Sequence, residues 1–130
     1  MIGREYRQYL IDQGFKDVFL NYRPDSPDEL IAIYDEAAPT LPIQEGLTTE
    51  FSGIEVLVRS DTPKNAEDTI KSIHGKTIGF RNNTFTAGGF DVTIVQLQQP
   101  PSYVDRDDQN RAMWSAHYIV RHANNTQYRS

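Results

Sequence analysis

The residues of this chain with the most capacity for chemistry are an acidic run, three histidines and a few paired carboxylates. Asp105-Arg106-Asp107-Asp108 crowds oxygen ligands as a calcium loop would. An EF-hand loop, however, needs Gly at its sixth position and a bidentate Glu at its twelfth. Counted from Asp105, those places hold Asn110 and Ala116, so the template fails and the run reads as a solvated turn entering a strand. His74 closes a helical segment, while His117 and His122 stand five apart in or just past a strand and point to opposite faces. Ligands on opposite faces cannot share one ion without a bend, so no metal site is expected. Asp25 with Asp28, and Asp35 with Glu36, lie in or beside turns, where nothing predicts the burial that acid–base work needs. The serines at 26, 52, 60, 72, 102 and 115 include no Gly-x-Ser-x-Gly elbow. Gly88-Gly89 lacks the further glycines and the Lys-Ser/Thr of a phosphate-cradling loop. No cofactor is implied, and the chain reads as a non-enzyme.

Composition narrows the classes further. The 130 residues make one domain's worth of chain. Net charge is −5, from 18 acids against 13 bases. The lysines stand apart at 16, 64, 71 and 76 and the arginines are scattered, so tight nucleic-acid binding is not expected beyond what a few arginines on one face could supply. With no cysteine there is neither a disulfide nor a thiolate metal site, as fits a reducing compartment. Met1 runs straight into charged residues, and neither a signal peptide nor a membrane span is expected. Seven Tyr and six Phe leave aromatics to spare for an interface.

The elements that would position these groups follow from periodicity. Ile2, Tyr6, Tyr9 and Leu10 recur at helical spacing over Arg4–Gln13, and Gly14 supplies a stop. Val18–Tyr22 and Leu30–Asp35 read as strands of a hairpin, joined by the turn cluster Arg23-Pro24-Asp25-Ser26-Pro27-Asp28. Glu36–Thr49 is a long aperiodic loop. Ser52–Ser60 is the clearest strand: Ile54, Val56 and Val58 alternate against Glu55, Leu57 and Arg59, and Leu57 implies that the polar face is not fully solvated. Thr62-Pro63 opens a second helix over Lys64–His74, with Ala66, Ile70 and Ile73 as its apolar stripe and His74-Gly75 as its end. Ile78–Asp91 is a ribbon or loop. Val92–Gln98 and Ala112–Arg121 are strands separated by Gln99–Asn110, and Trp114, Ala116, Tyr118 and Val120 share one face. The expected architecture is α+β: a mostly antiparallel sheet of four to five strands with two helices packed on one face. One domain spans residues 1–122, and 123–130 form a polar, frayed tail.

Three segments in order resemble a known family. They are the turn Pro24-Asp25-Ser26-Pro27-Asp28 leading into Leu30–Tyr34; Ile54–Arg59 with its following helix and His74-Gly75-Lys76; and Asp105-Arg106-Asp107-Asp108-Gln109-Asn110-Arg111 entering Trp114–Val120. Their order and spacing are similar to those of the minor capsid or tail-terminator (tail-completion) proteins of long-tailed bacteriophages. The likeness runs over residues 5–121, with Asp105 and Asn110 standing where that loop often has Gly.

The resemblance implies a virion protein, assembled in the host cytoplasm, that caps the tail tube, stops its polymerisation and joins tail to head as a homohexameric ring. Its partners would be copies of itself, the tail tube protein and a neck or head-completion protein. DNA would pass through an acidic lumen without specific binding, repelled within a Debye length of roughly 8–10 Å. Candidate contact residues lie in the loops Pro39–Thr49 (Leu41, Ile43, Glu45) and Arg81–Gly89 (Arg81, Phe85), with Phe90 beside them, and on the first helix (Tyr6, Arg7). Two alternatives stand beside this reading: a head-completion or neck protein, and a small-molecule-binding domain with a deep polar-lined pocket.

Overall fold

A computed structural model of the protein describes residues 3–36, 49–78, 86–87 and 90–124. Helices α1 (Gly3–Asp12) and α2 (Pro63–Ile78) accompany strands β1 (Val18–Leu20), β2 (Leu30–Glu36), β3 (Thr49–Ser60), β4 (Thr86–Ala87), β5 (Phe90–Arg106) and β6 (Ala112–Asn124). The strands form one sheet in the order β1-β2-β3-β6-β5-β4. Every pairing is antiparallel except β1 with β2. The fold is therefore α+β and mostly antiparallel, as expected, with β4 a two-residue addition at the margin.

Both helices cover the same face. Ile31 and Ile33 from β2, Ile54, Val56 and Val58 from β3, and Ala116, Tyr118 and Val120 from β6 meet Tyr6 and Leu10 of α1 and Ala66, Ile70 and Ile73 of α2 in one core cluster. The period-2 strands and the i, i+4, i+7 stripe of α2 thus point at one another. Each fully buried Ile contributes roughly 1.5–3 kcal/mol.

Helix α1 ends as its sequence predicts. Gly14 sits at φ 99°, its N–H bonds the Ile11 carbonyl, and the Phe15 N–H reaches the Leu10 carbonyl. That pair of bonds is the Schellman arrangement. At the other end the Gly3 N–H, an orphan donor of the first turn, bonds Asp35 Oδ1 at 2.8 Å.

Three expectations need correction. First, β1 and β2 are parallel and do not form a hairpin. Asn21 (φ 62°) turns the chain after β1, and residues 22–29 run back to the end where β1 began. Second, α2 does not stop at His74-Gly75 but continues to Ile78. The extra turn is held by Thr77, whose hydroxyl donates to the Ile73 carbonyl and accepts from the buried Tyr6 hydroxyl, and by the Tyr9 hydroxyl, which caps the Lys76 carbonyl. Third, β5 runs through Pro100-Pro101 to Arg106. Proline is tolerated on a margin strand, and four register shifts along β5 absorb the irregularity. Within the C-terminal segment read as a frayed tail, β6 extends to Asn124.

Ile70→Ala should lower the unfolding free energy by about 2–5 kcal/mol, read as a reduced urea midpoint with the m-value unchanged. A wild-type midpoint would mean that α2 is not docked as described.

Candidate functional site

The second face of the sheet, away from the helices, holds the most unusual chemistry. Register places Leu30, Ala32, Tyr34 and Glu36 of β2 beside Arg59, Leu57, Glu55 and Gly53 of β3, and these beside Met113, Ser115, His117 and Ile119 of β6. Leu30, Ala32, Leu57 and Met113 form a second buried cluster. Over its lower end lies the strap formed by residues 22–29, which contains a cis Ser26–Pro27 peptide.

Two arginines fasten the strap. Arg59, only 2% exposed, donates from Nε to the Asp28 carbonyl at 3.1 Å and from Nη2 to the carbonyls of Asp25 (3.1 Å) and Pro27 (2.6 Å). Arg111 donates from Nη1 to the Asp25 carbonyl and, at 3.1 Å, to Asp28 Oδ1; its Nε donates to Asp107 Oδ2 at 2.8 Å. Asp107 in turn accepts the backbone N–H groups of Gln109 (3.0 Å) and Arg111 (2.9 Å) on Oδ1. The strap, the end of β3 and the β5–β6 turn are therefore one hydrogen-bonded unit.

The electrostatics follow from burial and charge. Burial lowers the pKa of Arg59, and the neighbouring Arg111 adds to the effect. Burial acts the same way on Arg111, but Asp107 and Asp28 outweigh it and leave its pKa raised. Burial alone would push the Asp107 carboxyl up; the Arg111 and Gln109 donors reverse that and hold it below the ordinary carboxylate range.

Above the strap, the same face carries a polar constellation drawn from three strands. His117 Nδ1 lies 2.9 Å from Glu36 Oε1, and its Nε2 lies 3.7 Å from Glu55 Oε2. Burial raises the Glu55 carboxyl, His117 opposes the shift, and Glu36 adds to it. The Glu36 contact is a hydrogen bond, whereas Glu55 lies only within ion-pair distance of the other imidazole nitrogen. Among the described residues no group of His, Cys, Asp or Glu is arranged to hold a metal ion. None of their helices is long and apolar enough to cross a membrane.

The contact candidates from sequence fall in different places. Tyr6 is 1% exposed in the core, so it does not face outward: its ring fills the space between α1 and the sheet. Arg7 is half-buried, with Nε donating to the Val18 carbonyl at 2.7 Å. Phe90 begins β5, paired with Ala87 and Asn124. Leu41, Ile43, Glu45, Arg81 and Phe85 lie outside the described residues. Of the groups tested for chemistry, Asp25, Asp28 and Asp107 converge on Arg111, and Glu36 converges on His117; His74 instead bonds the Tyr118 hydroxyl at 2.7 Å. Sequence reasoning missed Arg59 and Arg111. The one available signal was Leu57, an apolar residue on a nominally polar face, which required a cover.

Two pH dependences follow. Asp107 has a folded pKa below its unfolded value of about 3.9, so its contribution is complete above that value and is lost as pH falls through the folded one. Asp107→Asn should therefore flatten the acid limb of a Tm-versus-pH curve below about pH 4; an unchanged limb would refute the role. Glu55 has the opposite sign: its folded pKa lies above the unfolded value of about 4.3, so its contribution declines as pH rises between the two. Glu55→Gln should raise Tm at pH 7 by a few degrees, on the order of 1–4 °C, and leave it unchanged or lower at pH 4. A lower Tm at pH 7 would contradict this.

No curated protein matches the sequence at a significant level. A solved structure aligns with 92% of this chain and 90% of its own, at TM-score 0.58 and 13% identity, a likeness of fold alone. A family model described as bacteriophage tail terminator protein matches residues 9–123, a span that takes in the strap, the β3 arginine and the Asp107 turn. The chain belongs to the bacteriophage tail terminator family.

Proposed function

We propose that this protein caps the end of the phage tail tube, ends its polymerisation and, as a ring of six copies, forms the interface that joins tail to head. The observation that carries the reading is the family match over nearly the whole chain. The folded chemistry supports it: the polar groups of the helix-free face are spent on one another, as in a protein that acts by contact without catalysis. A ring closed by rotation needs two different surfaces on each copy, and the two edges of the open sheet supply them. The tube protein below and a neck protein above are the partners, and the site of action is the virion. Six copies carry six times the net charge of −5, which keeps passing DNA from adhering to the channel.

Electron microscopy of phage lacking this protein tests the reading. Tails of irregular, extended length, restored to uniform length by adding the purified protein to assembly extracts, are expected. Uniform tails beside filled heads that leak DNA would refute tail termination and assign the protein to the neck.

A further inference from the structure

We propose that Arg7 guards the edge strand β1, its guanidinium stopping two copies of this chain from pairing β1 with β1 into one continuous sheet. The device belongs to the free chain and does not rest on the ring reading above.

Among the described residues, β1 stands first in the sheet order and pairs on one side only. Two bonds fix the direction of its backbone groups. The Ile31 N–H donates to the Asp17 carbonyl, and the Asn21 N–H donates to the Ile33 carbonyl. Residues 17, 19 and 21 therefore turn toward β2, and by the alternation of a strand Val18 and Leu20 turn their N–H and C=O groups outward. Asp17 and Asn21 both adopt left-handed φ, 55° and 62°, which confines the extended run to the three residues between them.

Such a row is complementary to itself. In an antiparallel pair with its two-fold axis at Phe19, Val18 of each copy faces Leu20 of the other. Each of these two pairs exchanges both of its N–H···O bonds, four in all. Arg7 removes two of the four. Its Nε donates to the Val18 carbonyl at 2.7 Å, and that carbonyl is the acceptor which the incoming Leu20 N–H needs.

The guard is built into α1. Gly3 and Arg7 are four residues apart and share one stripe of the helix. The Gly3 N–H bonds Asp35 Oδ1 at 2.8 Å, which sets that stripe against the β1–β2 corner and brings Arg7 within reach of Val18. Just past the end of β1, Asn21 Oδ1 accepts the Asp35 N–H at 2.9 Å, so the next donor along β2 on this side is covered too. The opposite margin is protected differently: Pro100 and Pro101 have no N–H to donate, and bulges break the ladder of β5. Proline's block is fixed in the chain, whereas a side chain rotates off its acceptor. Pairing at β1 is thus controlled by one residue. A β1–β1 pair is isologous and closes at two copies, so it would withdraw subunits from any ring closed by rotation.

The chain has no cysteine, so one engineered thiol reports the pair. In the two-fold register Phe19 faces its own counterpart at a non-hydrogen-bonded position, with Cα atoms about 4.5 Å apart, a separation that a disulfide spans. Phe19→Cys alone should oxidise slowly to dimer. Adding Arg7→Met, which keeps an apolar stem and removes the donors, should raise the dimer yield roughly tenfold, the factor that two restored hydrogen bonds supply. Val104→Cys, on the opposite margin, should show no such rise. In cysteine-free protein, hydrogen exchange at the Val18 and Leu20 amides should slow with concentration in Arg7→Met and be indifferent to it in the wild type. Equal dimer yields with and without Arg7→Met overturn the proposal, as does an equal rise at Val104→Cys or a wild-type protein already paired through β1. Should Phe19→Cys disturb the fold, the exchange measurement decides, with Arg7→Ala as a second donor-free variant; amides indifferent to concentration in both variants refute the guard.

Discussion

Two buried guanidiniums hold a strap across the lower end of the second face of this sheet. An open sheet with apolar residues on both faces needs cover on both, and the two helices cover only one. On the other face Phe19 and Tyr34 pack against Leu30, Ala32, Leu57 and Met113, and the strap lies over the lower end. The strap is not itself apolar, so it cannot be attached by hydrophobic burial. It is attached through its carbonyls, which Arg59 and Arg111 bind in a fork that the single ammonium of lysine could not reproduce. A buried cation is costly unless its donors are satisfied and its charge is opposed. Arg59 meets the first condition with three carbonyls, and Asp107, buried against Arg111, meets the second for the pair.

That fastening has topological consequences. Because the strap carries the chain from the end of β1 back to its start, β2 must leave in the same direction as β1, which produces the lone parallel pair. Asp107 sits in the β5–β6 turn, so the same ion pair that anchors the strap also fixes where β5 ends and β6 begins. The row Ile31–Val58–Trp114–Tyr103 lies just above this anchor.

Much of this was legible in the sequence and some was not, for physical reasons. The strand face Ile54–Val56–Val58, the stripe Ala66–Ile70–Ile73 and the stop at Gly14 are local periodicity and local backbone chemistry, and the structure holds them as read. The strap was not legible, because prolines and aspartates write the same pattern for a hairpin turn as for a crossing segment. Nothing local in the sequence marks Arg59 and Arg111, since the carbonyls of Asp25, Pro27 and Asp28 that they bind carry no side-chain pattern. β5 outruns the Val92–Gln98 of its periodicity because Pro100-Pro101, which normally ends a strand, lies near the sheet margin where proline is tolerated. Of the three segments that carry the family resemblance, the Pro24–Asp28 turn, Arg59 of the Ile54–Arg59 strand and the Asp105–Arg111 loop meet at the anchor. Their spacing reflects one hydrogen-bonded unit.

The distribution of charge follows from the same anchor. Asp25, Asp28, Glu29, Asp61, Asp105 and Asp108 are exposed, and register puts them all at the end of the sheet where β2 begins and β3 and β5 finish. Two of the arginines that share this end, Arg59 and Arg111, are buried and direct their charge inward at the strap, which leaves Arg106 as the exposed arginine beside these carboxylates. An even scatter of the net charge would give a ring a weak field everywhere. Concentration at one end of each protomer instead gives any circular arrangement with parallel copies one acidic pole, whose field adds across subunits within a Debye length of roughly 8–10 Å. The two ends of such a ring would then differ electrostatically, which is a physical basis for engaging different partners above and below.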